Sequence, residues 1–114
     1  MIWELCYNCC SSLKSINLSS FNTTNVKDMK CMFSHCSSLK SIKLSSFNTI
    51  NVNDMGNMFI GCSSLKSLDL SSFNTTNVNN MHDMLWGCSS LKKENVKINK
   101  TDKKLLNKIN ELEN

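Results

Sequence analysis

Cys36-Ser-Ser-Leu39-Lys-Ser-Ile42-Lys-Leu44-Ser-Ser-Phe47-Asn-Thr-Ile-Asn-Val52-Asn-Asp-Met55-Gly-Asn-Met58-Phe59-Ile-Gly61 is followed at once by Cys62-Ser-Ser-Leu65, and the same words begin again. They also open at Cys10-Ser-Ser-Leu13 and at Cys88-Ser-Ser-Leu91, each time 26 residues on. Three full copies run without insertion or deletion. A fixed period of this length is the mark of stacked supersecondary units, each too small to bury its own apolar face.

Two spacings alternate within a unit. Leu13-x-x-Ile16-x-Leu18 recurs as Leu39-x-x-Ile42-x-Leu44 and Leu65-x-x-Leu68-x-Leu70. The last two apolar residues of each set lie two apart, on one face of a short strand. Phe21, Phe47 and Phe73 follow a Ser-Ser turn. In the second half Val26, Met29, Met32, Phe33 and Cys36 fall on a helical stripe, which predicts a short helix or 3₁₀ turns. Asn25 with Asp28, and Asn51 with Asp54, read as its N-cap and a weak capping-box partner. Gly61 and Gly87 stand where a left-handed residue ends a helix, with His35 a poorer choice in the first copy.

Residues 1–9 read as half a unit, with Trp3, Cys6, Tyr7 and Cys10 in the columns of Met29, Met32, Phe33 and Cys36. The fourth copy breaks off. At the same period Leu91 and Val96 take the columns of Leu65 and Leu70, and Glu94 falls in that of Leu68. From Thr101 an amphipathic helix is predicted, with Leu105, Leu106, Ile109 and Leu112 on one face, Thr101 as N-cap and Asp102 in the first turn. The expected fold is α/β: a short leucine-rich-repeat-type solenoid of 26-residue units, each a short parallel strand plus a short helix or turns, with a C-terminal capping helix. Its parts are a partial repeat at 1–9, the repeats at 10–91, and a Lys-rich cap at 92–114.

The net charge is +4, and every basic residue is Lys. Seven of the 13 lysines lie from Lys92 onward, so the repeats are near neutral. Nucleic-acid binding, which calls for a basic face and usually for Arg, is not expected. No run of about 18 apolar residues is present, so no membrane span is expected. The opening Met1-Ile-Trp-Glu-Leu-Cys lacks the basic and apolar regions of a signal peptide, and the entry into a half unit reads as a fragment of a longer chain.

The phrases Cys62-Ser-Ser-Leu-Lys-Ser-Leu-Asp-Leu-Ser-Ser-Phe-Asn-Thr-Thr-Asn-Val78 and Asp54-Met-Gly-Asn-Met-Phe-Ile-Gly-Cys62 resemble the BspA-like leucine-rich-repeat surface proteins of bacteria and some protists. The resemblance covers about residues 2–91. It implies a solenoid with a strand ladder along one side, and a role at the cell surface in adhesion or host contact. It brings no catalytic residues.

The residues themselves offer few reactive groupings. Cys10, Cys36, Cys62 and Cys88 form one column and read as small buried hydrophobes. Cys6-x-x-Cys9 has no second pair, and His35 and His82 do not complete a zinc spacing. Cys9 and Cys31 fall outside the core columns and are the more accessible thiols. Met29, Met55 and Met81, with Met32, Met58 and Met84, read as core. Asn17, Asn22, Asn74 and Asn99 head glycosylation sequons, which matter only in a secreted eukaryotic protein. No catalytic triad, phosphate loop, metal site or cofactor is expected, and the chain reads as a non-enzyme.

The candidate ligand-binding residues lie on the outward strand face. One column varies between otherwise near-identical copies: Asn17, Lys43, Asp69. Beside it runs a row of like charges, Lys14, Lys40 and Lys66, continued by Lys92. The expected partner is a protein or an anionic polysaccharide lying across that face. The second reading is an intracellular scaffold or partner-capture protein.

Overall fold

Alternating apolar residues build strands of three residues each: β1 (Ser15–Asn17), β2 (Ser41–Lys43), β3 (Leu68–Leu70) and β4 (Val96–Ile98). The computed structural model describes residues 11–112. β1 pairs in parallel with β2, setting Ile16 against Ile42 and Asn17 against Lys43. β3 pairs in parallel with β4, setting Leu68 against Val96, Asp69 against Lys97 and Leu70 against Ile98. These are two separate two-stranded sheets; β2 and β3 are not joined in one. Leu44, Leu68 and Leu70 are buried, with Ile16, Leu18 and Ile42 packed against the same core.

The second half of each unit is turns, not helix. Its N–H groups go alternately to two destinations. Met32, Ser34 and Cys36 donate to carbonyls three residues back, while Met29, Cys31, Phe33 and His35 donate to carbonyls of Asp54, Gly56, Met58 and Ile60 in the next unit. The second unit repeats the cross-unit set onto Asn80, His82, Met84 and Trp86. Two positions per unit are left-handed: Cys31, Asn57 and Asp83 in one column, His35, Gly61 and Gly87 in the other. A left-handed residue ends a right-handed helix at once, so the helical stripe of Met and Phe is folded into consecutive turns that still aim it inward. The six columnar methionines are all buried, and Phe33 stacks on Phe59 at 5.3 Å between ring centres.

Asp28 and Asp54 do not cap helices. Each carboxylate accepts the N–H two residues on, from Lys30 and Gly56, at 2.9 Å. Asn51 instead donates across units, to the Thr24 carbonyl at 2.7 Å. Thr23, Thr49 and Thr75 form a buried polar column. The first two donate to the Asn48 and Asn74 carbonyls of the next unit at 3.1 and 2.8 Å, and accept the same residues' N–H groups.

The fourth copy is displaced by two residues. A 3₁₀ turn at Lys93–Asn95 absorbs them, so Val96 rather than Glu94 meets Leu68, and Ile98 meets Leu70. Glu94 stays exposed, which spares the core a carboxylate. The chain then enters α1 (Lys103–Asn110), whose N-cap is Asp102 rather than Thr101. Leu105, Ile109 and Leu112 are buried, whereas Leu106 remains exposed. Asp102 accepts both the Leu105 N–H (3.1 Å) and the Thr75 hydroxyl (2.6 Å), and the Thr75 N–H reaches its other oxygen. Lys104 Nζ donates to the Thr75 and Val78 carbonyls at 3.1 and 2.7 Å. In place of a further unit's backbone, one carboxylate and one ammonium satisfy this part of the third unit.

The expected leucine-rich-repeat solenoid is therefore corrected. No helix falls within the repeats at 11–91, no strand ladder runs the length of the described chain, and the extents are 30 × 29 × 23 Å. The chain is a small compact globule of turns and paired short strands. The half repeat assigned to 1–9, and with it Cys6, Cys9 and Cys10, lies outside the described residues.

Candidate functional site

Lys14, Lys40 and Lys66 directly precede the strand segments, and Asn17, Lys43 and Asp69 stand on the strands themselves; all six are exposed. The structure joins some of them and separates others. Asn17 and Lys43 are register neighbours, and the Lys40 N–H donates to the Lys14 carbonyl at 2.8 Å. Lys66 belongs to the second strand pair. In that pair Asp69 neighbours Lys97, a residue the sequence reading passed over. The signal for it was the alternation Val96-x-Ile98, hidden by the two-residue displacement. Lys43 and Asp69 nonetheless share one open depression of about 360 Å³, lined also by Ile42, Ser45 and Ser71.

The varied column is not free to the same degree in each copy. Asn17 Oδ1 accepts the Ser19 N–H and hydroxyl at 3.0 and 2.6 Å. Asp69 Oδ1 does the same for Ser71 at 2.9 and 2.6 Å. Short side chains with an acceptor suit this turn. The Ser71 hydroxyl and N–H hold the Asp69 carboxyl below its usual range, and the Lys97 charge adds a smaller pull. Lys43 has no acceptor to offer such a turn, so its side chain is the one whose chemistry is not committed to it.

Charge balance differs between rims. Lys30 meets Asp28 at 3.5 Å and Lys108 meets Glu111 at 3.4 Å. Among the described residues no ion pair involves Lys14, Lys40, Lys66 or Lys92. Lys14 and Lys40, adjacent through their backbone hydrogen bond, add their fields, and an extended anion can meet both at once. The side chains on this surface can hold a charged, flexible ligand by contact and Coulomb attraction.

Thiols lie elsewhere. Cys36, Cys62 and Cys88 are buried and Cys31 is half-buried. Cys62 and Cys88 direct Sγ at the Phe33 and Phe59 carbonyls, 3.1 and 3.2 Å away. Burial pushes the Cys88 thiol up to about 11, so it is uncharged at neutral pH. Among the described residues no three His, Cys, Asp or Glu side chains gather into a metal-binding group, and no helix is long and apolar enough to cross a membrane.

A family model described as "Mycoplasma protein of unknown function, DUF285" matches residues 4–112. No curated protein and no solved structure matches the chain.

Proposed function

The chain belongs to the DUF285 family, and from that premise we propose that it is a non-enzymatic binding module of a BspA-like surface protein. It acts in adhesion at the cell surface or after secretion. Its ligand is an anionic polysaccharide or an acidic protein surface, engaged across the outward strand side. The observation that carries this reading is the rim of Lys14, Lys40 and Lys66, exposed and without ion-pair partners among the described residues. Lys43 and Lys97 extend the positive field over the strands, and the open depression between Lys43 and Asp69 admits a polar group.

The test is a triple variant, Lys14→Glu, Lys40→Glu and Lys66→Glu, assayed for retention on immobilised heparin and for attachment to cultured cells. The exposed positions predict a thermal melt like the parent's. Binding is expected to disappear in the triple variant, and in the parent to weaken steeply from low to physiological salt. Equal retention of parent and triple variant would remove the strand side from consideration.

A further inference from the structure

The cross-unit hydrogen bonds leave a remainder at the third unit. N–H groups of Met29, Cys31, Phe33 and His35 meet carbonyls of the second unit at 2.7–2.9 Å. Those of Met55, Asn57, Phe59 and Gly61 meet carbonyls of the third at 2.8–2.9 Å. The same columns in the third unit are Met81, Asp83, Leu85 and Gly87, and among the described residues nothing accepts their N–H groups. The Asn79 carbonyl is the matching acceptor. Its equivalents on Lys27 and Asn53 receive the N–H groups of Asn53 and Asn79 at 2.8 Å, and it receives none. Asn99, Asp102 and Lys104 complete only the other side of this unit, around Thr75 and Val78.

Space lies beside this row. Two open hollows, each of about 330 Å³, border it, one floored by Leu85, Gly87 and Leu112, the other by Val78 and Met81, with Glu111 on the rim of both. Trp86, 67% exposed, flanks the first. A backbone edge with donors at every second residue, an apolar floor and an exposed aromatic anchor is suited to take on one more polypeptide segment by main-chain pairing.

We propose that the edge Asn79–Gly87 docks a partner polypeptide whose sequence follows the turn half of this chain's own units: Asp or Asn, Met, two variable residues, Met, Phe or Leu, one variable residue, Gly. The interface is the one already formed twice within the chain, continued by one step. Carbonyls at alternate residues of the partner receive the four N–H groups, and the N–H of the residue before its Asp or Asn meets the Asn79 carbonyl, as those of Asn53 and Asn79 meet Lys27 and Asn53. Met81 and Leu85 are already buried beside the C-terminal segment, so the partner's apolar side chains enter the two hollows that border the row and do not replace that cover. This surface is separate from the lysine rim, so the two readings stand or fall independently.

The probe is a synthetic peptide of residues 53–62 with Cys62→Ser, titrated into the full chain by calorimetry. A scrambled peptide of the same composition is expected to bind at least tenfold more weakly. A spin label on the specific peptide is expected to broaden backbone signals of residues 79–87 and to leave those of 29–35 sharp. No heat, equal binding of the scrambled peptide, or broadening elsewhere overturns the proposal. So does a chain dimer that occupies residues 79–87 and that excess peptide fails to dissociate, since the edge then belongs to a second copy.

Discussion

His35 has φ of 59° in the column where Gly61 and Gly87 have 75° and 79°. A side chain in that region costs about 1–2 kcal/mol, a cost glycine avoids. His35→Gly is therefore expected to stabilise the chain by about 0.5–1 kcal/mol after the entropy of glycine is counted, read from urea unfolding. Gly61→Ala should do the opposite. Its new Cβ falls 2.6 Å from His35 Nδ1 as well as at positive φ. Combining the two changes should relieve the clash and leave the backbone strain, so the pair is non-additive. Cys88 gives a pH-dependent counterpart. Its thiol ionises near 9.0 when unfolded and near 11 when folded. As pH rises past the lower value the unfolded state loses its proton first, so stability falls between the two values and is unaffected below them. The loss should reach roughly 3 kcal/mol. Cys88→Ala should show a flatter profile over the same range, the comparison that isolates this thiol from other groups titrating there.

At the scale of elements, α1 is held by two charged side chains that serve the third unit. Asp102→Ala removes a helix cap and orphans the Thr75 hydroxyl and N–H at once, and should cost about 2–3 kcal/mol in a thermal or urea melt. Asp102→Asn, which keeps one acceptor, should cost less. A variant as stable as the parent would mean that α1 holds its place by Leu105, Ile109 and Leu112 alone. Both the helix and its buried face were legible in the spacing of those three residues. Its cap was not, because Thr101 and Asp102 are both good N-caps and only contact with Thr75 decides between them. The turn halves were misread for a related reason. Met29, Met32, Phe33 and Cys36 face inward whether the backbone is helical or turned, so apolar spacing cannot separate the two. The useful signal was the column Cys31, Asn57, Asp83, since Asn and Asp are the residues that most readily enter the left-handed region. The displacement of the fourth copy is hidden from a fixed period, because the two residues taken up by the turn at Lys93–Asn95 shift every later column.

For the whole molecule, the period identified the core columns far better than it identified the shape. Leu39, Leu65 and Leu91, Phe47 and Phe73, and the methionines all became core. The strands pair only two by two, and the extents are 30 × 29 × 23 Å, so a repeated sequence here gives a compact body and not an elongated stack. The candidate site was legible as exposed chemistry but not as arrangement: Lys97 and the turn bonds of Asn17 and Asp69 depend on register. Because one core runs through every unit, a charge in its middle should fail globally. Leu68→Asp places an unpaired carboxylate where the side chain is 2% exposed. It should abolish the cooperative melt, at a cost of several kcal/mol. A melt close to the parent's would contradict the shared core.

The alternation of N–H destinations in the turn halves also sets a rhythm in time. Met32, Ser34 and Cys36 close short loops, and a flicker of one turn is enough to release them. Met29, Cys31, Phe33 and His35 are tied to the following unit and come free only when two units part. Transferred to deuterated water, neighbouring amides along 29–36 should therefore exchange on two timescales in a zigzag, the odd-numbered ones slow and the even-numbered ones faster. Along 81–87 the zigzag should reverse, because the N–H groups of Met84 and Trp86 keep their acceptors three residues back and that of His82 keeps Asn80 Oδ1. There the odd-numbered amides, with no second unit to hold them, should be among the first to gain deuterium.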